Sequence, residues 1–414
     1  MSDPNFKIEV SQRIQRLPPY LFGRINKMKY EKRVAGVDII DLGMGNPTDP
    51  TPESVVDKLA EAAKDPRNHR YSVSNGVAGL RREVAKKYHD KYGVELDPET
   101  EVIATIGSKE GFSHLCLALL GPGDTAVVPD PAFPIHLYAV AMAGANVIRV
   151  PLGNDQAFLD KIEKVIEGLY PTPKLLILNY PHNPTSVTVD QGFWEHAIEM
   201  CRRHKVMIIS DFAYGEVCFD GYRAPSFLSA EGAKDLGVEF TTMSKSYNMA
   251  GWRVGFCAGN SEMVKALATI KGYYDYGIFA PIQIASIIAM REHAQAPEEQ
   301  SIIYAKRRDV VCRSLDRLGW TYEKPRASMF VWARIKPEHL KGKDTIDFCL
   351  RMMDEAEVAL APGRAFGEHG EGHVRIALVE NEHRLKQAMS NLERALMPRQ
   401  PKPRREKAAA ETEK

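Results

Sequence analysis

Lys245 stands between Ser244 and Ser246, just past the apolar run EFTTM, and Arg253 follows eight residues later. Upstream, Asn183 follows the run KLLILN within Asn179-Tyr180-Pro181-His182-Asn183-Pro184, and Asp211 closes KVMIISD with Tyr214 three residues on. A fourth run, EVIAT, turns through Gly107, Ser108 and Lys109 into a helical stretch. Glycine and serine at such a turn expose backbone N–H groups at a helix N-terminus, a ready seat for an anion. The four loops thus offer an amine, an amide, a carboxylate and an anion seat. Taken singly, each has an ordinary use: Asx residues after strands make turns or cap helices, and a loop lysine is commonly solvated. What sets them apart is their company.

Such groups meet only if a scaffold brings the ends of their strands together. Between about residue 100 and residue 260, short apolar runs alternate with helical stretches such as Lys109 to Leu120 and Gln191 to His204. Several runs are continuously apolar, which suits strands buried on both faces of a mostly parallel sheet, with the helices as crossovers. The fold class is α/β, and in such sheets ligands bind beyond the carboxyl ends of the strands. After about residue 285 come long charged amphipathic helices, Pro297 to Leu318, Asp344 to Ala356 and Glu382 to Ala395, with MFVWARI and HVRIALV between them, which predicts a smaller α+β domain. A helix fits Pro52 to Ala63. Pro18 and Pro19 in LPPY favour an extended N-terminal arm. The expected division is 1–45 as arm and part of the small domain, 46–290 as the large domain, 291–397 as the small domain and 398–414 as a disordered, charged tail.

The chain has 414 residues, 44% of them hydrophobic and 26% charged, enough for a sizeable core. Its 55 Lys and Arg nearly balance 54 Asp and Glu, so nucleic acid is not an expected partner. No apolar stretch reaches the roughly 18 residues of a membrane span, and MSDPNFKIEV lacks a signal-peptide core, so the expected compartment is the cytoplasm. Six scattered cysteines form no CxxC pair and no zinc set, and no metal is expected. GxGxxG, GxxxxGK[ST], GxSxG and HExxH strings are absent, which leaves the usual dinucleotide, phosphate-loop, serine hydrolase and zincin readings without local support.

Together, the N-P, D-x-x-Y and S-K-x5-G-x-R-x-G strings, in this order and spacing, resemble the fold-type-I pyridoxal phosphate enzymes, specifically the class I/II aminotransferases, over about residues 15 to 395. Within them, LPPY, MGNP, IGSKEG, TTMSKSYNMAGWR and YDYG most resemble passages of the bacterial glutamate-pyruvate (alanine) aminotransferases. The resemblance implies a large domain with a mostly parallel sheet between helices, a smaller α+β domain, pyridoxal 5'-phosphate as cofactor and a homodimer. It makes Lys245 the amine that condenses with the cofactor aldehyde and carries the proton, Asp211 the carboxylate on the pyridine nitrogen, and Tyr214 and Asn183 the partners of the phenolic oxygen. It assigns the phosphate to Ser108, Lys109, Ser244 and Arg253, with Tyr71 reaching across from a second subunit. Phe133 falls where the family usually stacks a tyrosine or tryptophan on the cofactor. Arg375, in HVRIAL, matches the family arginine that clamps the substrate α-carboxylate, with Tyr20 and Gly45 lining the same mouth.

The implied activity is transfer of an amino group between L-alanine or L-glutamate and pyruvate or 2-oxoglutarate. LL-diaminopimelate and methionine or aromatic aminotransferases share much of the pattern, a cofactor-dependent lyase could use the same strand ends, and a non-catalytic binding protein could retain the fold. Arg24, Arg33, Arg70 and Arg364 are all open as recognisers of an acidic substrate side chain. His114, His136 and His182 read as structural or solvated, with His182 also placed to approach the cofactor edge.

Overall fold

The computed structural model describes residues 8–18 and 21–397; Tyr20 and the tail 398–414 lie outside the described residues. Its centre is a seven-stranded sheet in the spatial order Val102–Ile106, Val254–Gly259, Gly237–Thr242, Met207–Asp211, Leu175–Asn179, Thr125–Asp130, Asn146–Pro151. Val254–Gly259 runs antiparallel to both neighbours, and the remaining pairings are parallel. Alternate residues feed two cores: Leu176, Leu178 and Ile208 pack with Trp194 on one face, and Leu175, Ile177 and Ile209 pack with Phe112 and Leu115 on the other. Burial on both sides is why these strands are apolar without alternation.

The crossover helices start within a residue or two of where the sequence predicts them. Ser108–Leu119 begins behind Gly107, whose φ of +74° suits a residue without a Cβ. Asp190 caps Gln191–His204 by accepting from the Phe193 N–H. The strand Val254–Gly259 was not anticipated, because two of its six residues are glycine and it directly follows the loop that carries Arg253.

A second sheet, of four antiparallel strands, runs Ala361–Pro362, His373–Ala377, Phe330–Arg334, Thr321–Tyr322, and packs with the helices Ala296–Leu318, Thr345–Glu355 and Glu382–Leu396. Ile40–Asp41 pairs in parallel with Val358–Ala359, so the N-terminal region joins this part of the molecule. The expected extended arm is corrected: Gln12–Gln15 and Leu21–Val34 are helical. The two prolines restrict only their own neighbourhood, and residues 24–33 supply Arg, Lys, Met and Glu, all good helix formers. Among the described residues no helix is long and apolar enough to cross a membrane.

Candidate active site

The parallel strands end at one crevice, a cavity of about 760 Å³ lined by Gly45, Ser108, Lys109, Phe133, Asn183, Asp211, Tyr214, Ser244, Lys245, Arg253 and Arg375, among others. Of the residues singled out from sequence, Tyr71 is absent from that lining, and Tyr20 lies outside the described residues. Tyr71 is 85% exposed, and its ring rests on Tyr276, centroid to centroid 4.5 Å.

Lys245 sits in the helical turn Met243–Ser246, which Thr242 caps by accepting from the Ser244 N–H at 3.1 Å. Its Nζ donates to the Gly45 carbonyl at 2.6 Å. Burial, then the positive charges of Arg375 and Arg253, push this amine down to about 8. The same strand end brings Ser244 Oγ and Thr242 Oγ1 to 2.9 Å of each other.

The anion seat is built by close backbone packing. A Cβ on Gly107 would stand 2.2 Å from Arg253 Nη2, and one on Gly255 would stand 2.4 Å from the Ser108 nitrogen. Glycine at both positions therefore lets a guanidinium lie beside the first turn of Ser108–Leu119, where charge and free N–H groups favour an anion together. Arg253 adopts φ +59° and donates from Nη1 to the Ala250 carbonyl at 2.9 Å. Lys109 Nζ lies 6.0 Å from the centre of the Phe133 ring.

Asp211 accepts from the Ala213 N–H at 3.2 Å through Oδ1, and its Oδ2 is 2.8 Å from His136 Nε2. His136, 2% exposed, stands one turn after Phe133 on the helix Pro134–Met142. Sequence reasoning passed over this histidine as structural or solvated; its signal was the three-residue spacing from Phe133 on a helix that starts at a strand end. Asn179 was missed too. Its Nδ2 donates to the Asp211 carbonyl at 2.7 Å and its Oδ1 accepts from the Asn183 N–H at 2.9 Å, so one amide ties two strand ends together.

Asn183 Oδ1 accepts from Arg375 Nη1 at 2.7 Å, and Gly43 O accepts from Arg375 Nη2 at 2.7 Å. The Arg375 guanidinium carbon lies 4.1 Å from the centre of the Phe330 ring and 4.7 Å from that of Phe366. A buried, aromatic-sandwiched guanidinium suits a carboxylate. Burial pushes the Tyr214 phenol up, and the Arg375 charge, then a hydrogen bond with Asn183, oppose that rise. His182 does not line the cavity; its Nδ1 is 2.8 Å from Thr185 Oγ1, and burial with nearby His136 pushes it down to about 3, which keeps the ring neutral. His114 stacks on Tyr274, outside the cavity lining. The cavity therefore gathers an amine of lowered basicity, a carboxylate backed by histidine, an anion seat and a buried guanidinium.

The sheet is that of the fold-type-I aminotransferases, and residues 37–392 match the aminotransferase class I and II family model, so the chain belongs to that family. It is 46% identical over 380 residues, 92% of each chain, to the glutamate-pyruvate aminotransferase AlaC of Escherichia coli strain K12. It is 41% identical to the LL-diaminopimelate aminotransferase of Moorella thermoacetica, with 94% of this chain and 99% of the relative covered. Among solved structures, apo-BacF from Bacillus subtilis superposes with a TM-score of 0.89 at 34% identity, covering 94% of this chain and 99% of that one.

Proposed function

We propose that this aminotransferase exchanges the amino group of L-alanine and L-glutamate with pyruvate and 2-oxoglutarate, in ping-pong fashion on bound pyridoxal phosphate, as a cytoplasmic homodimer. The observation that carries the chemistry is the buried Lys245 amine, in the field of Arg375 and Arg253, in the cavity that Asp211 lines. Substrate choice is supported by the 46% identity to a glutamate-pyruvate aminotransferase.

The lining residues fit the cofactor. The seat formed by the Ser108 N–H and the Arg253 guanidinium, crowded so closely that neither Gly107 nor Gly255 has room for a Cβ, suits a phosphate. Asp211, backed by His136, suits a protonated pyridine nitrogen, and Tyr214 and Asn183 suit a phenolic oxygen. Phe133 offers a ring face. When bound, pyridoxal phosphate supplies an aldehyde for amine exchange and a ring that withdraws electrons from the substrate Cα.

Each residue then has a task. Lys245, with an amine brought to about 8, is uncharged far more often near neutrality than an ordinary lysine, so it would condense with the cofactor aldehyde with loss of water and, once displaced by the substrate amino group, would be free to take up and return a proton at the substrate Cα. Arg375 orients the substrate by its α-carboxylate, and the rings of Phe330 and Phe366 keep water from that clamp. Tyr71 serves the phosphate of a second copy. Its exposure, with that of Val73, Tyr273, Tyr276 and Phe279, supports the homodimer, because so many exposed apolar side chains suit a protein interface.

The absorption spectrum of the purified protein tests this reading. A yellow band that L-alanine and L-glutamate bleach, and pyruvate restores, is the expected result. No band after reconstitution with pyridoxal phosphate overturns the cofactor and the role of Lys245. Bleaching by LL-diaminopimelate alone favours the second reading, which relatives of that name at 37–41% identity support.

A further inference from the structure

Residues 39–45 hold four cations at two-residue steps. Ile39 O accepts from Arg33 Nη2 at 3.3 Å, Asp41 Oδ2 from Lys29 Nζ at 2.5 Å, Gly43 O from Arg375 Nη2 at 2.7 Å and Gly45 O from Lys245 Nζ at 2.6 Å. The segment is a strand only at Ile40–Asp41 and bends at Gly43 and Met44; its first half meets the helix Leu21–Val34 and its second half meets Arg375 and Lys245. The inner two, Lys245 and Arg375, carry the proposed reaction. The outer two, Lys29 and Arg33, lie one turn apart on the helix Leu21–Val34 and also line the cavity.

The outer pair differ in what they hold. Lys29 is 13% exposed at its side chain and meets a carboxylate, which cancels its charge. The carbonyl that Arg33 meets is neutral; the nearest carboxylate in its field, Asp38, is itself bonded to Arg384, so the Arg33 charge still acts on the mouth. The other carboxylate on this wall, Glu380, lies in the field of Arg384, which is itself paired with Asp38. Of the arginines left open by the sequence, Arg24, Arg70 and Arg364 do not line this cavity. Arg364 borders a separate one of about 140 Å³.

We infer that Arg33 receives the second carboxylate of a dicarboxylic substrate, glutamate or 2-oxoglutarate, while the α-carboxylate occupies Arg375. This rests on the alanine and glutamate reading above. Alanine and pyruvate leave Arg33 unused, so one cavity serves both pairs without a second pocket. The guanidinium sits on a long stem at the end of an exposed helix, and its fork matches a carboxylate. Lys29 supports it by neutralising Asp41, which would otherwise repel the incoming charge.

The test compares wild type with Arg33→Gln and Arg33→Lys in half-reactions with L-glutamate, L-glutamine and L-alanine, and measures Kd for glutarate with butyrate as the single-carboxylate control. In Arg33→Gln, kcat/KM for glutamate is expected to fall about 10- to 100-fold, chiefly through KM, while alanine and glutamine change less than about threefold. Glutarate binding is expected to weaken about tenfold or more with butyrate unaffected, and Arg33→Lys to recover part of both losses. Equal losses for glutamate and alanine, or unchanged glutarate binding, overturn the inference. A wild-type enzyme that turns over neither amino acid overturns the substrate reading instead, and glutarate binding still decides the role of Arg33.

Discussion

Asp211 and Glu239 lie on paired strands, where Ser210 faces Glu239 and Asp211 faces Phe240, yet their surroundings differ in kind. Asp211 closes its strand at the cavity with one histidine and one backbone N–H as partners. Glu239 sits mid-strand with 0% exposure and accepts from Tyr88 OH, Ser226 Oγ, the Phe227 N–H and Ser210 Oγ at 2.9, 2.7, 2.8 and 3.2 Å. Burial still pushes Glu239 up to about 7. A carboxylate saturated by its own protein has nothing to offer a ligand, whereas one left at a strand end beside a cavity does. Side-chain chemistry is shared; position along the strand divides a catalytic candidate from a structural brace.

Substitutions can break that contrast at either end. The largest effect belongs to the cavity side: Lys245→Ala is expected to lower turnover by at least about a thousandfold, with circular dichroism and urea midpoint close to wild type. Asp211→Asn keeps shape and loses charge, and kcat/KM is expected to fall on the order of a hundredfold or more while stability holds. Glu239→Ala should do the reverse. It leaves several buried donors without an acceptor and costs about 2–4 kcal/mol in urea unfolding, with kcat of the folded fraction within threefold of wild type.

The smallest effect is a slope. Folded Glu239 keeps its proton up to about 7, while the unfolded chain releases it near 4.5. Across that window the folded state binds more protons, so this residue's contribution to stability declines as pH rises from about 4.5 to about 7 and then levels off. Glu239→Gln is expected to flatten that part of the stability profile, measured as the urea midpoint against pH.

The contrast also marks where sequence reading reached its limit. The runs ending at Asn179 and Asp211 were legible because burial on both faces makes them almost continuously apolar; with the run ending at Thr242, their ends gave Asn183, Asp211 and Lys245. His136 and Asn179 escaped because each meets Asp211 across 75 or 32 residues, and the local spacings to Phe133 and Asn183 do not name that partner. Glu239 gave no sign either: one acid inside an apolar run has no visible partner until Tyr88 and Ser226 fold over it. The helix Leu21–Val34 was hidden by the proline pair before it and by its polar composition.

The short segment from Ile39 to Gly45 works like a comb whose teeth are mostly main-chain oxygens. Its grip comes from three carbonyls and one carboxylate on alternate residues, and it holds side chains from a helix, a strand and a helical turn. Its main-chain oxygens do the holding, while Ile39, Ile40 and Leu42 anchor it in the core and Gly43 and Gly45 have little room for a Cβ, so it is intolerant of a change in length. Inserting or deleting one residue would shift every oxygen beyond the change out of step with its cation and release those cations together.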